Sequence, residues 1–151
     1  MNDTIAQAEG EIPPDQEMVQ AIATVKAAGV RNCYLAAPLS SPDITLQAHR
    51  AFATSRVAGL MMDQDIVVYS PLSHGWLLQQ FNGERSHDWW MEHCMPMLDR
   101  FSYLLILTLP GYRESKGVMM EIEHAKDTGI PIRWLAPSPA LIADFNLEPR
   151  S

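Results

Sequence analysis

The sequence contains few cysteines and few cationic side chains for its length. Only Cys33 and Cys94 occur among 151 residues, and Cys33 lies in an apolar, strand-like segment. We therefore expect no disulfide framework and a cytoplasmic location. The 11 Lys and Arg residues against 18 Asp and Glu residues give a net charge of -7. This balance argues against a nucleic-acid polymer as partner, because nonspecific affinity for one comes from cations that release counterions.

Several functional patterns are also missing. No apolar run approaches the roughly 20 residues of a membrane span, and the acidic start lacks the basic residues of a secretory signal, so we expect no membrane partner. The chain has no G-x-x-x-x-G-K-[ST], G-x-G-x-x-G or G-x-S-x-G motif, which argues against a nucleoside triphosphatase and a dinucleotide enzyme. His87, His93 and Cys94 lie close together but lack a second ligand pair, so we expect no metal and no cofactor.

Strand-like and helix-like segments alternate along the chain. Short apolar runs predict strands at 32–37, 66–70, 103–109 and 130–135, and helical spacing predicts helices at 15–28, 43–62, 86–100, 116–128 and 137–145. This alternation predicts a three-layer flavodoxin-like or Rossmann-like α/β sandwich with a four- to five-stranded parallel sheet. We expect one domain at 15–145, a flexible arm at 1–14 and a tail at 146–151.

Two segments depart from this regular alternation. Residues 71–85 have weak periodicity and several aromatic side chains, which predicts an active-site loop or lid with a helical turn at 76–80. The helix at 86–100 contains Pro96, and we expect it to break or kink before that residue.

The segment 101–125, FSYLLILTLPGYRESKGVMMEIEHA, carries the clearest chemical signal. A buried strand ends at Pro110, and Ser115 can cap a helix that starts near Gly117, so free N–H groups and the positive end of the helix dipole form an anion site. Glu121 follows Ser115 by about 9 Å along the helix axis. A phosphate at the helix start would thus place a carboxylate near the sugar, and we expect that carboxylate to be ionised at neutral pH.

The spelling S-K-G-V-M-M-E-I-E-H-A at 115–125 resembles the S-x-G-x-x-x-E-[IL]-x-x-A signature of the nucleoside 2-deoxyribosyltransferase superfamily. Its branch of nucleoside 5'-monophosphate N-glycosidases is the closest match. The resemblance implies that Ser115 and Gly117 hold the 5'-phosphate and that Glu121 attacks the anomeric carbon. Members that use nucleosides carry Asp at the position of Ser115, so the resemblance favours a nucleotide substrate.

A second motif, Y-L-A-x-P at 34–38, resembles the opening motif of the same superfamily. By this resemblance Tyr34 lies at the active site, and Ser40 and Ser41 line the sugar-phosphate pocket. Core packing for Tyr34 and a simple turn for the serines are the alternatives. The family also places an Arg on the phosphate; Arg56 is preferred over Arg50, with a solvated side chain as the alternative for either.

Three further residues complete the candidate site. Asp88 resembles the Asp that serves as the proton donor or orienting acid in the N-glycosidase branch, and the alternative is a carboxylate that stabilises the start of its helix. His74 and Trp76 are candidates for contact with the base, because an indole face can stack on a nucleobase. Packing in the protein is the alternative for Trp76.

Together these residues predict hydrolysis of the N-glycosidic bond of a (2'-deoxy)nucleoside 5'-monophosphate, with release of free base and sugar phosphate. Glycoside cleavage needs a nucleophilic carboxylate and an acid for the leaving group, which Glu121 and Asp88 would supply. A nucleoside 2-deoxyribosyltransferase and a non-catalytic nucleotide-binding or sensing module remain alternatives. The resemblance further implies a homodimer or larger homo-oligomer, with the aromatic region 76–90 as the contact.

Overall fold

The computed structural model describes residues 14–148 and has helices on both faces of a central sheet. Of the predicted arm and tail, all but Pro14 and residues 146–148 lie outside the described residues. The helices are α1 (Gln16–Ala27), α2 (Ile44–Asp63), α3 (Pro71–Asn82), α4 (His87–Leu98), α5 (Lys116–Thr128) and α6 (Pro139–Asp144). The strands are β1 (Asn32–Ala36), β2 (Val67–Tyr69), β3 (Leu104–Leu107) and β4 (Ile132–Leu135), and a 3-10 turn, Tyr112–Glu114, precedes α5.

The sheet has the order β2-β1-β3-β4, and all neighbouring strands are parallel. Tyr34 of β1 pairs with Tyr69 of β2 on one side and with Leu104 of β3 on the other. Every residue of β3 is buried, as expected of a central strand covered on both faces. The prediction of a three-layer α/β sandwich with a four-stranded parallel sheet is confirmed.

Alternate residues of β1 serve two separate cores. Cys33 and Leu35 belong to the core beneath α1, α2 and α6, whereas Tyr34 and Ala36 belong to the core beneath α4 and α5. Side chains of a strand point alternately to opposite faces, so this division follows directly from the pleat. As a result, Tyr34 faces the same layer as the helix that carries Glu121.

The loop predicted at 71–85 is instead mostly a regular helix. Ser70 caps α3 by accepting a hydrogen bond from the Ser73 N–H, Pro71 occupies the first turn, and Gly83 ends the helix with φ of +74°. The hydrophobic periodicity of α3 is weak because apolar residues lie on both of its faces. One face lines a cavity, and on the opposite face Leu77 and Phe81 are 63% and 83% exposed. Sequence periodicity detects a helix only when a single apolar face is buried.

The break predicted before Pro96 is also absent. Helix α4 runs through this proline and ends two residues later at Leu98. Because Pro96 lies in the last turn, the residue removes one backbone hydrogen bond close to a helix end, where the cost is smaller than in the middle.

Candidate active site

A cavity of about 200 Å³ lies at the carboxyl ends of β1 and β3. Ligands of open α/β sheets bind at this edge. The lining residues come from several helices and loops at this edge: Ala37, Leu39 and Ser40 after β1, Gln47 of α2, Pro71, Leu72, Gly75, Trp76 and Gln79 of α3, Glu84 and Arg85 before α4, His87, Trp90, Met91 and Cys94 of α4, and Ser115, Gly117 and Glu121 around α5. The two predicted motifs therefore meet in one cavity.

Glu121 is the buried carboxyl of this cavity, with only 4% of its surface exposed. Burial raises its pKa from 4.5 to about 7, and the neighbouring Tyr34 hydroxyl opposes this rise. Tyr34 is fully buried, and its own pKa is raised by burial first and then by Glu121 and Cys94. Within the described chain the Tyr34 hydroxyl has no partner at hydrogen-bond geometry. It is a close neighbour of the Glu121 carboxyl, because each group affects the pKa of the other.

The expectation that Glu121 is fully ionised at neutral pH is therefore wrong. A carboxylate near a helix start gains about 0.3–1 kcal/mol from the dipole, and the effect falls off beyond the first turn. The pKa change from 4.5 to about 7 corresponds to an opposing cost of about 3 kcal/mol. Burial thus outweighs the dipole, and the carboxyl holds a proton about half the time near neutral pH.

The start of α5 is built as the sequence predicts. The Ser115 hydroxyl oxygen accepts a hydrogen bond from the Val118 N–H at 3.2 Å, so Ser115 is the helix cap. The N–H groups of Lys116 and Gly117 come before the first intrahelical donor and are free for a ligand. A Cβ added at Gly117 would have Met91 Cε at 3.9 Å and Ser115 Oγ at 4.0 Å as its nearest neighbours. The fold itself therefore leaves room beside this glycine.

The two arginines considered as phosphate ligands have different positions. Arg56, the preferred phosphate ligand, lies outside the cavity in a shallow hollow beside Phe145. Arg50 is only 8% exposed and donates hydrogen bonds to the carbonyls of Leu39 at 3.3 Å, Ser40 at 2.8 Å and Pro110 at 3.2 Å. It thereby ties the loop after β1 to the loop after β3.

Gly111 is required beneath the Arg50 guanidinium. Its φ of +94° is in the left-handed region, and an added Cβ would overlap Arg50 Nη2.

The arginine that does line the cavity is Arg85, which the sequence did not single out. It donates to the carbonyls of Asn82 at 2.6 Å and Glu84 at 3.1 Å, and its guanidinium lies 5.5 Å from the Trp89 ring centroid.

The pairing of Asp88 with Glu121 is not found. Asp88 is exposed and absent from the cavity wall, whereas its neighbour His87 lines it. His87, Trp90, Met91 and Cys94 follow one another at i, i+3, i+4 and i+7, so they share one face of α4, and Asp88 projects about 100° away from His87. The i, i+3, i+4, i+7 spacing of these four residues can be read from the sequence, but the family motif indicated Asp88 instead.

Of the two candidate serines after β1, one lines the cavity and the other stabilises the loop behind it. Ser40 lines the cavity, and its Oγ is 3.2 Å from His87 Nε2. Ser41 shapes the turn instead: its hydroxyl accepts from the Asp43 N–H at 3.1 Å and its carbonyl accepts from the Gln47 side chain at 2.6 Å. The structure therefore separates the two serines by role.

The aromatic residues are divided in the same way. Trp76 is half-buried and lines the cavity, whereas His74 is exposed, lies outside the wall and packs near Tyr69, with ring centroids 6.0 Å apart. Trp90 covers Gly75, where an added Cβ would come within 3.3 Å of the indole ring. The Trp90 indole therefore packs directly against α3 at the edge of the cavity.

Residues 14–148 show neither a metal-ligand cluster nor a membrane-spanning helix. In this range no three His, Cys, Asp or Glu side chains are grouped as metal ligands would be. None of the described helices is long and apolar enough to span a membrane.

Comparison with known proteins identifies one family. A family model described as a domain of unknown function (DUF1937) matches residues 31–136, which include β1 through β4 and the whole cavity wall. No curated protein matches the chain.

Proposed function

Since the chain belongs to the family described as a domain of unknown function (DUF1937), we propose its activity from its own cavity: hydrolysis of the N-glycosidic bond of a (2'-deoxy)nucleoside 5'-monophosphate. The observation that carries this proposal is the buried carboxyl of Glu121 in the same cavity as the free N–H groups at the start of α5. One group suits attack on a sugar carbon, and the other suits a phosphate.

The ionised Glu121 attacks C1' and forms a glycosyl ester, while the electron pair of the C1'–N bond leaves with the base. The base takes up a proton, and water then cleaves the ester to release the sugar phosphate and restore the carboxylate. A pKa of about 7 keeps a large fraction of the nucleophile ionised at neutral pH. Tyr34, fully buried beside the carboxyl, would limit its positions by packing.

The phosphate is proposed to sit at the start of α5, beside Ser115 and Gly117. Ser115 is uncharged, so no carboxylate at the helix cap repels an anion. Arg85 supplies a positive charge on the same cavity wall. With a net charge of -7 for the chain, such local groups are what a phosphate requires.

The size of the cavity suggests which part of a nucleotide it encloses. About 200 Å³ is less than the roughly 300–1,000 Å³ of sites for drug-sized ligands, so we propose that it encloses the sugar while the base and phosphate extend along its walls. Trp76 and Gln79 on α3 would face the base, the indole by stacking and the amide by hydrogen bonding.

We also propose that two copies associate through α3. Leu77 and Phe81 are 63% and 83% exposed, and Leu78 between them is 39% exposed. Leu77 and Phe81 project from the opposite side of the helix to the cavity wall, and all three side chains lie within the region expected for the contact. A second copy would cover them and hold α3, and hence Trp76, in place.

The experiment is a screen of ribo- and 2'-deoxynucleoside 5'-monophosphates, each beside its unphosphorylated nucleoside, with free base measured by chromatography. The proposal predicts base release from a monophosphate without an acceptor base. Release that needs an acceptor base would indicate a 2-deoxyribosyltransferase. Binding of monophosphates with no release would indicate a sensing module, and either result would overturn the hydrolase.

A further inference from the structure

We infer that His87 is the acid that protonates the departing base, an inference that rests on the proposed function. It assigns to the chain a second catalytic group that the sequence motifs placed elsewhere. The inference starts from the composition of the cavity wall, whose ionisable side chains are Glu84, Arg85, His87, Cys94 and Glu121.

Most of these groups are unsuited to the task. Glu121 is the nucleophile, and an Arg guanidinium is too weak an acid to give up a proton near neutral pH. Burial raises the pKa of the Cys94 thiol to about 11, so it too is a poor donor. Of Glu84 and His87, the histidine is the half-buried first residue of α4, whereas Glu84 is exposed in the connection between helices.

The position of His87 along α4 sets it apart from the nucleophile within the same cavity. Cys94 and Glu121 line the same cavity, and the carboxylate adds to the effect of burial in raising the pKa of the thiol. Met91 reaches the first turn of α5 beside Gly117. His87 lies on the same face of α4, about 10 Å beyond Cys94 along the axis. His87 therefore lines the cavity about two helical turns from the thiol that neighbours the nucleophile.

The imidazole is held in place by Ser40. The distance from Ser40 Oγ to His87 Nε2 is 3.2 Å, and both side chains line the cavity. The protonated ring would donate its proton to a ring nitrogen or carbonyl oxygen of the base as the C1'–N bond breaks. The neutral ring would then accept a proton from the water that cleaves the ester, so the histidine ends in its starting form.

The test compares two substrates that differ in their need for an acid. One is the best nucleoside monophosphate from the screen, and the other is 4-nitrophenyl 2-deoxyriboside 5-phosphate, whose leaving group is stable as an anion. Because a general acid contributes roughly 100- to 10,000-fold, His87→Gln should slow the nucleotide at least 100-fold and change the aryl substrate less than about threefold. His93→Gln, an exposed histidine of α4 outside the cavity wall, is the matched control and should change neither rate.

Ser40→Ala provides a second variant, which keeps the imidazole and removes its partner. It should slow the nucleotide by a smaller factor than His87→Gln and again spare the aryl substrate. Equal losses on both substrates, or an unchanged nucleotide rate in His87→Gln, would overturn the role of His87 while leaving the hydrolase intact. A wild-type protein that cleaves neither substrate would overturn the proposed function itself.

Discussion

Replacement of Glu121 by Gln should stabilise the protein at alkaline pH. The pKa of this carboxyl is about 7 in the folded chain against 4.5 ordinarily. Between these values the folded chain retains a proton that the unfolded chain releases, so the free energy of unfolding falls as pH rises through this window. The total loss is about 3 kcal/mol, of which about 2–3 kcal/mol lies between pH 5 and pH 8.

Glutamine has nearly the same shape and does not ionise, so Glu121→Gln removes this cost. Relative to wild type, the variant should gain about 2–3 kcal/mol between pH 5 and pH 8, which corresponds to roughly 4–12 °C in Tm. Urea unfolding at both pH values and equal ionic strength measures the gain. Glu123→Gln is the matched control, because Glu123 is exposed on the same helix.

The test compares the stability gain of the variant over wild type at pH 8 with the same gain at pH 5. The contributions of all other ionisable groups are the same in both proteins and cancel. If Glu121→Gln and wild type differ by the same amount at both pH values, the carboxyl is not held in its neutral form by burial. A wild-type protein that loses stability towards pH 5, relative to the variant, would contradict the sign of the effect. Either result would refute the reasoning from burial.

Three other perturbations follow from particular contacts. Gly117→Ala has no atom closer than 3.9 Å to the new methyl group, so it should stabilise the fold by up to about 1 kcal/mol in thermal unfolding. It should nevertheless weaken binding of a monophosphate about tenfold or more in calorimetry by crowding the proposed phosphate seat; unchanged affinity would place the phosphate elsewhere. Arg50→Met loses donors to three carbonyls and should cost on the order of 3 kcal/mol in urea unfolding, and a cost under 1 kcal/mol would count against its bracing role. Phe81→Glu places a charge on the exposed face of α3 and should shift the protein to monomer mass in light scattering, whereas a monomeric wild type would remove the basis for this contact.

The fold could be predicted from the sequence because its signals are local and consistent. Continuous apolar runs give the buried strands, and Asp or Ser caps open the helices, as Asp43 and Ser115 do. The position of Glu121 in the cavity followed from the same reasoning. Helix α3 was missed because its two faces contact different surroundings, so no single period appears along it.

The rest of the site depends on three-dimensional directions that a motif does not contain. Asp88 and His87 are adjacent in sequence, but the helix turns them about 100° apart, and only His87 lines the cavity. Arg50 and Arg56 lie on one helix, but Arg50 donates to carbonyls of two loops, whereas Arg56 lies in the hollow beside Phe145. The pKa of Glu121 depends on burial by α4 and β1, which local sequence does not quantify.

The most direct test of the account is base release from a nucleoside 5'-monophosphate by wild type, Glu121→Gln and Glu123→Gln. Both variants remove one carboxylate from α5, but only Glu121 is buried in the cavity. We predict that Glu123→Gln releases base at the wild-type rate, whereas Glu121→Gln binds the nucleotide and releases almost none. Base release by Glu121→Gln at the wild-type rate would contradict the assignment of Glu121 as the nucleophile.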